Sequence, residues 1–307
     1  MSSLAAHGAS YLPARPVGEP LRVAFIGPDV WLANCAPPVS THALSVSRFP
    51  LGPAGGQDVL EAIRAMRPHV CVAFDPPVLA PGILGELPGA SLGILVDGAA
   101  SASPETVGAL DRLVSFDPAL TGTQVGSMDV WRAVPPPVSD VLFSEPRRPH
   151  HAPRAVSIGR ESAHREAMLT PVKHHQDMLQ LIHGVSGAEL AEVLSGYDVG
   201  IHVHRDGGGG FGQQVGVHLA SGHLLLSEHL APAHGLERGI DFLQVDSADG
   251  LLWTLERLGR FPEMYHRIRV RGRLKAEQYR ASRLFGRLLG DLLADIAAFG
   301  PAQLARG

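Results

Sequence analysis

The sequence predicts an α/β protein made of two successive domains, each built around a largely parallel sheet. The chain has 307 residues, of which 45% are hydrophobic, and this length is typical of two domains of ordinary size. Short apolar segments alternate with segments of helical periodicity, an order typical of a parallel sheet covered on both faces. A proline-rich stretch between Pro135 and Pro153 separates the two series and is predicted to link the domains.

The first series begins with the apolar run Leu21–Gly27, which has the composition of a buried strand. Apolar residues at helical spacing predict a helix over 58–67, which ends before Pro68. Ser103 and Pro104 are the residue types that begin a helix. Four further strands are predicted over residues 69–74, 91–96, 112–116 and 130–134.

The second series carries four predicted strands, over residues 155–159, 198–204, 223–228 and 242–245. Helices are predicted after Ser186, over 213–221 and up to Leu258. A last helix carries an apolar stripe on one face that includes Leu288 and Leu292. In chain order we expect a flexible N-terminal arm over 1–20, a first domain over 21–148, a second domain over 149–280, and a helix over 281–307 that packs back across the junction.

Composition excludes several classes of protein. Lys and Arg number 26 against 30 Asp and Glu, a net charge of −4, whereas nucleic-acid binders normally show a basic excess. Only two cysteines, Cys35 and Cys71, are present, too few to staple a secreted scaffold, so we expect a cytoplasmic protein. No apolar run reaches membrane-spanning length, and residues 1–20 lack the basic start and apolar block of a signal peptide.

The basic residues between 267 and 287 are predicted to form a solvated helix face, with an anionic acceptor or lipid surface as the alternative.

The first strand does not lead into a dinucleotide-binding turn. It ends in Gly27-Pro28-Asp29 instead of the G-x-G-x-x-G pattern, and Pro28 lacks the backbone amide that a pyrophosphate needs. We therefore expect no nicotinamide cofactor in this domain.

The second domain carries the more informative motifs. Gly159 and Arg160 directly follow its first strand, and Arg165 comes five positions later. The loop Gly210-Phe211-Gly212 then leads into the helix that begins at Gln213 and is followed by the segments 219–222 and 224–228. In this pattern the domain resembles the donor-binding domain of GT-B glycosyltransferases of the "glycosyl transferases group 1" type, in the short, spore-maturation-protein-like branch of that bacterial-type family. The resemblance covers about residues 154–285 and, more loosely, the whole chain.

The resemblance implies two Rossmann-like domains that face a cleft and are closed by a C-terminal helix. It also implies a nucleotide-diphosphate sugar as donor, bound by the second domain through the following residues: Gly159, Arg160, Arg165, His204, Gly210, Phe211, Gly212, Gln213 and Glu228. Elementary chemistry agrees, because guanidinium groups and helix N-terminal amides can compensate a diphosphate without a metal, and glycines allow a close approach of the backbone. Ordinary surface arginines and a flexible glycine loop are the alternatives.

The sequence departs from the family pattern at its acidic pair. The family commonly has a Glu-x7-Glu pair in which one Glu contacts the sugar and the other holds the ribose hydroxyls. Here the two positions are Gly209 and Val217, and Glu228 or Glu237 could substitute.

Histidines and aspartates supply the remaining candidates. His202 and His204 are two apart on a predicted strand and so share a face, but no carboxylate follows at a ligand spacing, and we expect no metal site. A catalytic base would have to come from the first domain, where Asp97 follows a strand; Asp75 and Asp29 hold equivalent positions. Each of these could instead be a turn or helix-capping residue.

Together these features predict a metal-independent glycosyltransferase that acts on a nucleotide-diphosphate sugar and an unknown acceptor, with no cofactor, no nucleic acid and no transmembrane segment. Two alternatives stay open: a non-catalytic nucleotide-sugar-binding protein of the same fold, and a sugar-nucleotide epimerase.

Overall fold

A computed structural model describes residues 18–51, 56–79, 81–96, 107–176, 179–206 and 210–300. The chain divides into two compact units. The first comprises Met1–Pro135 and Ala281–Gly307, and the second comprises Pro136–Arg280. None of the helices described in these ranges is long and apolar enough to cross a membrane.

The first unit contains a seven-stranded sheet in the order β2-β1-β3-β4-β5-β7-β6. All neighbouring strands are parallel except β6 and β7. The strands are β1 (Leu21–Gly27), β2 (Leu44–Pro50), β3 (Val70–Phe74), β4 (Ala90–Leu95), β5 (Arg112–Ser115), β6 (Gln124–Val125) and β7 (Met128–Ala133). The helices described are α1 (Asp29–Cys35), α2 (Gln57–Met66) and α3 (Pro81–Leu84), with α9 (Ala281–Phe299) returning from the C-terminus.

Burial explains which of these strands the sequence predicts. Every residue of β3 and β4 is buried, as expected of central strands in a parallel sheet covered on both faces. The strand β2 has no counterpart among the predicted elements. It lies at the edge of the sheet with most side chains partly exposed, so its sequence mixes Ser, Arg and Pro with apolar residues. The helix start predicted at Ser103 and Pro104 lies outside the described residues.

The C-terminal helix α9 packs into the core of the first unit through its apolar stripe. The ring of Phe285 lies 4.8 Å from that of Phe25 and 6.1 Å from that of Phe74, in edge-to-face contacts. Leu288 and Leu292 are buried in the same cluster. An Arg112–Asp295 ion pair with 2.5 Å between its atoms joins the helix to β5.

The second unit contains a five-stranded parallel sheet in the order β12-β11-β10-β8-β9. Its strands are β8 (Ala155–Ile158), β9 (Leu179–Ile182), β10 (Val199–His202), β11 (Leu224–Ser227) and β12 (Leu243–Gln244). Its helices are α4 (Ala163–Gln176), α5 (Gly187–Leu194), α6 (Gln213–Ala220), α7 (Ala248–Arg260) and α8 (His266–Lys275). The strands that follow β8 lie on opposite sides of it, β9 on one side and β10 on the other. A crevice for a ligand is therefore expected at the carboxyl ends of β8 and β10.

Two details of the second unit differ from the sequence-based expectations. Residues 136–148 lie in this unit because Ser144 donates its amide to Ala220 O at 3.0 Å and Arg147 donates its amide to Gly222 O at 2.8 Å. The basic segment is also not solvated throughout. Arg269 is 1% exposed, with Nη2 3.5 Å from an oxygen of Asp198, because α8 packs against the sheet along that face.

Candidate functional site

The predicted donor-binding residues of the second unit gather at the carboxyl ends of β8, β10 and β11. Gly159 and Arg160 follow β8 directly, His204 follows β10, and Glu228 follows β11. The parallel register of β8 with β10, and of β10 with β11, brings these ends to one edge of the sheet. The site is therefore assembled from three loops that are distant in sequence.

Arg165 and Gly159 form one interlocked pair. The Arg165 side chain is buried; its Nε donates to Val203 O at 3.0 Å, and its Nη1 donates to Arg160 O at 2.9 Å and Ile158 O at 3.3 Å. Gly159 has φ +126°, and a Cβ there would overlap Nη1. This pair thus joins the ends of β8 and β10. Burial, with a smaller effect of Arg205, lowers the pKa of Arg165 from its ordinary value, against an opposing effect of Glu228.

Arg160 has the opposite environment. Its side chain is exposed, and within the described residues it has no ion-pair partner. It lines a cavity of 180 Å³ along α4 together with Arg165, Thr170 and Lys173. Of the two predicted arginines, Arg160 is the one whose whole guanidinium can reach a ligand.

The loop Gly210-Phe211-Gly212 presents the start of α6. Gly212 precedes the helix and no side chain caps its first amides. A Cβ on Gly212 would lie 3.0 Å from His202 Cε1 and 2.5 Å from the side-chain oxygen of Gln214, so a side chain there would displace Gln214 and press against the His202 ring. Phe211 is buried and holds the loop in place, its ring 4.9 Å from the His234 ring and 5.2 Å from the Tyr279 ring. Gln213 is the first helical residue of α6.

His202, the last residue of β10, and His204 are in contact. Their rings are edge to face, with centroids 5.0 Å apart. His204 Nε2 lies 2.8 Å from His229 O, so this nitrogen carries a proton and donates. His202 is 3% exposed, and within the described residues neither of its ring nitrogens makes a hydrogen bond of good geometry; a weaker interaction with the Gly210 backbone slightly opposes the lowering of its pKa. Burial first, then the neighbouring His204 and Arg165, lower the pKa of His202 to about 3. His202 is therefore a neutral imidazole beside the start of α6.

Glu228 connects the three loops, and it reveals a residue that sequence reasoning missed. Its Oε2 accepts the His204 amide at 2.7 Å, and its Oε1 lies 2.8 Å from His164 Nε2. His164 stands in the first turn of α4, between the two arginines of the predicted motif. Only that position in the motif could have drawn attention to it, because the sequence separates it from Glu228 by 64 residues.

The other predicted residues do not join this group. Val217, at the family's ribose-binding position, is 2% exposed within the core cluster of the second unit. Glu237 is exposed and donates only its amide, to Asp241. Asp97 and Gly209 lie outside the described residues. Among the residues that are described, no group of three or more His, Cys, Asp or Glu side chains is arranged to hold a metal ion.

Comparison with known proteins finds solved structures that share the fold but no protein that matches in sequence. No protein-family model and no curated protein sequence matches the chain. Among solved structures, sucrose-phosphate synthase from Thermosynechococcus elongatus matches with a TM-score of 0.55 at 10% identity, over 91% of this chain and 99% of that one. A glycosyltransferase from Rickettsia africae matches with a TM-score of 0.55 at 10% identity, over 90% of this chain and 98% of that one. Anabaena HepE in complex with UDP-glucose matches with a TM-score of 0.53 at 9% identity, over 90% of this chain and 100% of that one.

These structures are GT-B glycosyltransferases, so the predicted α/β fold of two parallel-sheet domains of GT-B type is confirmed.

Proposed function

We propose that the protein is a glycosyltransferase that moves a sugar from a nucleotide-diphosphate sugar to an acceptor. The fold supports this, because the structures it resembles include glycosyltransferases and HepE in complex with UDP-glucose. The observation that carries the proposal is the start of α6. No side chain caps this helix, and the buried imidazole of His202, whose ring nitrogens make no well-formed hydrogen bond within the described residues, lies beside it. A buried polar group normally has a partner, and a bound ligand would supply one.

In this proposal the diphosphate lies against the amides that begin at Gly212, where the helix dipole favours negative charge. Arg160 contributes a mobile guanidinium that binds the phosphates directly. Arg165 contributes positive charge from its buried position beside the Gly159 turn. Its hydrogen bonds to backbone carbonyls fix the position of that turn. Gly210 and Phe211 keep the loop open to the ligand, while His204 and Glu228 border it.

Catalysis then depends on stabilising the charge that develops on the leaving diphosphate. Arginines and helix amides can do this without a divalent ion, so we propose a metal-independent reaction with no cofactor. The acceptor would be bound by the first unit, with Asp97 as the candidate base. The two cysteines, which are buried in separate core clusters, support a cytoplasmic location.

A thermal-unfolding series tests the proposal. Ligands that bind only the folded state raise the unfolding temperature, by an amount equivalent to about 2.7 kcal/mol at a hundredfold excess over Kd. We expect UDP or another nucleoside diphosphate to raise it in the parent protein, and less so in Arg160→Ala. Slow hydrolysis of the matching nucleotide sugar without an acceptor would separate an enzyme from a binding protein, and recovery of the nucleotide sugar with altered stereochemistry would indicate an epimerase. No shift with any nucleotide would contradict the proposal.

A further inference from the structure

One hydrogen bond of the second unit joins His164 to the end of β11. His164 Nε2 lies 2.8 Å from Glu228 Oε1, and the two side chains are 32% and 12% exposed. The second carboxylate oxygen of Glu228 accepts a hydrogen bond from the His204 amide at 2.7 Å, so each carboxylate oxygen has a hydrogen-bond partner. A carboxylate in this position fixes Nε2 as the protonated ring nitrogen and sets the orientation of the ring.

The other nitrogen of His164, Nδ1, belongs to a ring that is partly exposed and is held through Nε2. Within the described part of the chain it has no hydrogen-bond partner, although the ring is held in place. In the neutral ring Nδ1 carries a lone pair. In the imidazolium it becomes a charged donor, and Glu228 compensates that charge at the opposite side of the ring.

The neighbouring charges suit an anion at Nδ1. On its own helix, His164 is followed by Arg165, which interacts electrostatically with both Glu228 and Arg205. From the end of β10 come Arg205 and the imidazoles of His202 and His204. From the end of β11 come Glu228 and the exposed His229. Glu228 is acidic, but its carboxylate is already committed to His164 and the His204 amide. Three exposed acidic residues lie in the same segments, Glu161 and Glu166 around His164 and Asp206 after Arg205, and they face solvent together with the exposed Arg160 and Arg205.

We propose that His164 binds the distal phosphate of the nucleoside diphosphate through Nδ1, as an imidazolium whose charge Glu228 stabilises. This inference rests on the proposed function and adds a phosphate ligand that the glycosyltransferase resemblance does not supply. No covalent bond changes on binding. One proton passes from the buffer to Nδ1 as the phosphate arrives, and the resulting N–H then donates to a phosphate oxygen.

This proton transfer can be measured by calorimetry of UDP binding in two buffers of different ionisation enthalpy. At about pH 7.5 we expect the parent protein to take up a substantial fraction of one proton per UDP bound. His164→Asn should abolish the uptake and weaken binding about tenfold, the loss of one charge-assisted hydrogen bond. Glu228→Gln should reduce the uptake while the His164 ring remains. His151→Asn, an exposed histidine ahead of β8, serves as the control and should behave as the parent.

The possible outcomes separate this inference from the proposed function. If the parent binds UDP without taking up a proton, or if His164→Asn matches the parent in both affinity and uptake, the role given to His164 is wrong and the transferase proposal stands. If the parent binds no nucleoside diphosphate, the proposed function fails and this inference fails with it. An unfolding midpoint for His164→Asn that is close to the parent's shows that the lost uptake does not come from misfolding.

Discussion

Replacement of Gly159 by alanine should destabilise the second unit strongly, because two separate penalties act at this position. The residue has φ +126°, which L-residues rarely adopt, and the added methyl would overlap Arg165 Nη1. Backbone strain of this kind costs about 1–3 kcal/mol. Moving Nη1 away from the methyl removes at least one of its hydrogen bonds to a carbonyl, and a hydrogen bond from a charged group is worth about 1.5–3 kcal/mol. We expect Gly159→Ala to lower the free energy of unfolding by about 3–5 kcal/mol.

Gly184→Ala is the matched control for the strain alone. Gly184 also has a positive φ, +79°, but a Cβ there would meet no atom within 4 Å. It should therefore cost about 1 kcal/mol, near the lower limit for a strained backbone. Both variants can be measured by urea denaturation followed by circular dichroism, in which the unfolding free energy is extrapolated to water.

A double-mutant cycle isolates the contact between the methyl and the guanidinium. In an Arg165→Ala background the overlap no longer exists, so Gly159→Ala should cost little more than Gly184→Ala does. The two changes should therefore be non-additive by about 1.5 kcal/mol or more. Strictly additive values, or a cost for Gly159→Ala below about 1 kcal/mol, would show that the interlocked pair does not hold the turn.

Three further predictions address binding and stability. Arg160→Ala should weaken nucleoside diphosphate binding about tenfold or more, while Arg267→Ala, an exposed arginine on α8, should leave affinity unchanged in the same titration. Affinity should also be the same with and without EDTA, and a large loss on chelation would mean that a cation takes part. Stability should fall on acidification below about pH 6.5, because the folded state keeps buried imidazoles neutral while the unfolded chain protonates them. Burial lowers the pKa of His223 to about 4 and that of His202 to about 3, so each contributes a loss of about 1.4 kcal/mol per pH unit between about 6.5 and those values. Urea titrations from neutral pH downwards check this, and His223→Gln should give a shallower pH dependence; an unchanged slope would contradict the assignment.

The sequence alone determined the parts of the fold whose signal is local. The central strands are apolar along their whole length because both faces are buried, so β1, β3 and β4 are predicted within a residue of their observed bounds. The C-terminal helix is predicted equally well from the sequence, because one stripe of it is buried in the first unit. The edge strands β2 and β9, and the polar helix α4, carry no comparable pattern. Most residues of β2 are partly exposed, only the two ends of β9 are buried, and α4 is mostly exposed apart from a buried face, so the neighbours that stabilise these elements come from elsewhere in the chain.

The candidate site likewise has parts that local motifs predict and parts that depend on tertiary packing. Gly159 and Arg160 directly follow β8, Arg165 comes five positions after Arg160, and the loop at Gly210–Gly212 lies between β10 and α6, so local motifs predict that they meet at one edge of the sheet. Whether an arginine points outward or into the protein is decided by packing. The Gly159 turn leaves room for the Arg165 guanidinium beneath it, and the carbonyls of β8 and β10 hold it there.

The pairing of His164 with Glu228 was decided by tertiary structure alone. The parallel arrangement of β8, β10 and β11 places the first turn of α4 over the end of β11, and no pattern in either segment encodes that contact. Residue types and their spacing therefore predicted an anion-binding edge in the second unit. The sheet register and burial decided which side chains are free to act there, because a side chain's role depends on partners that the linear sequence keeps far apart.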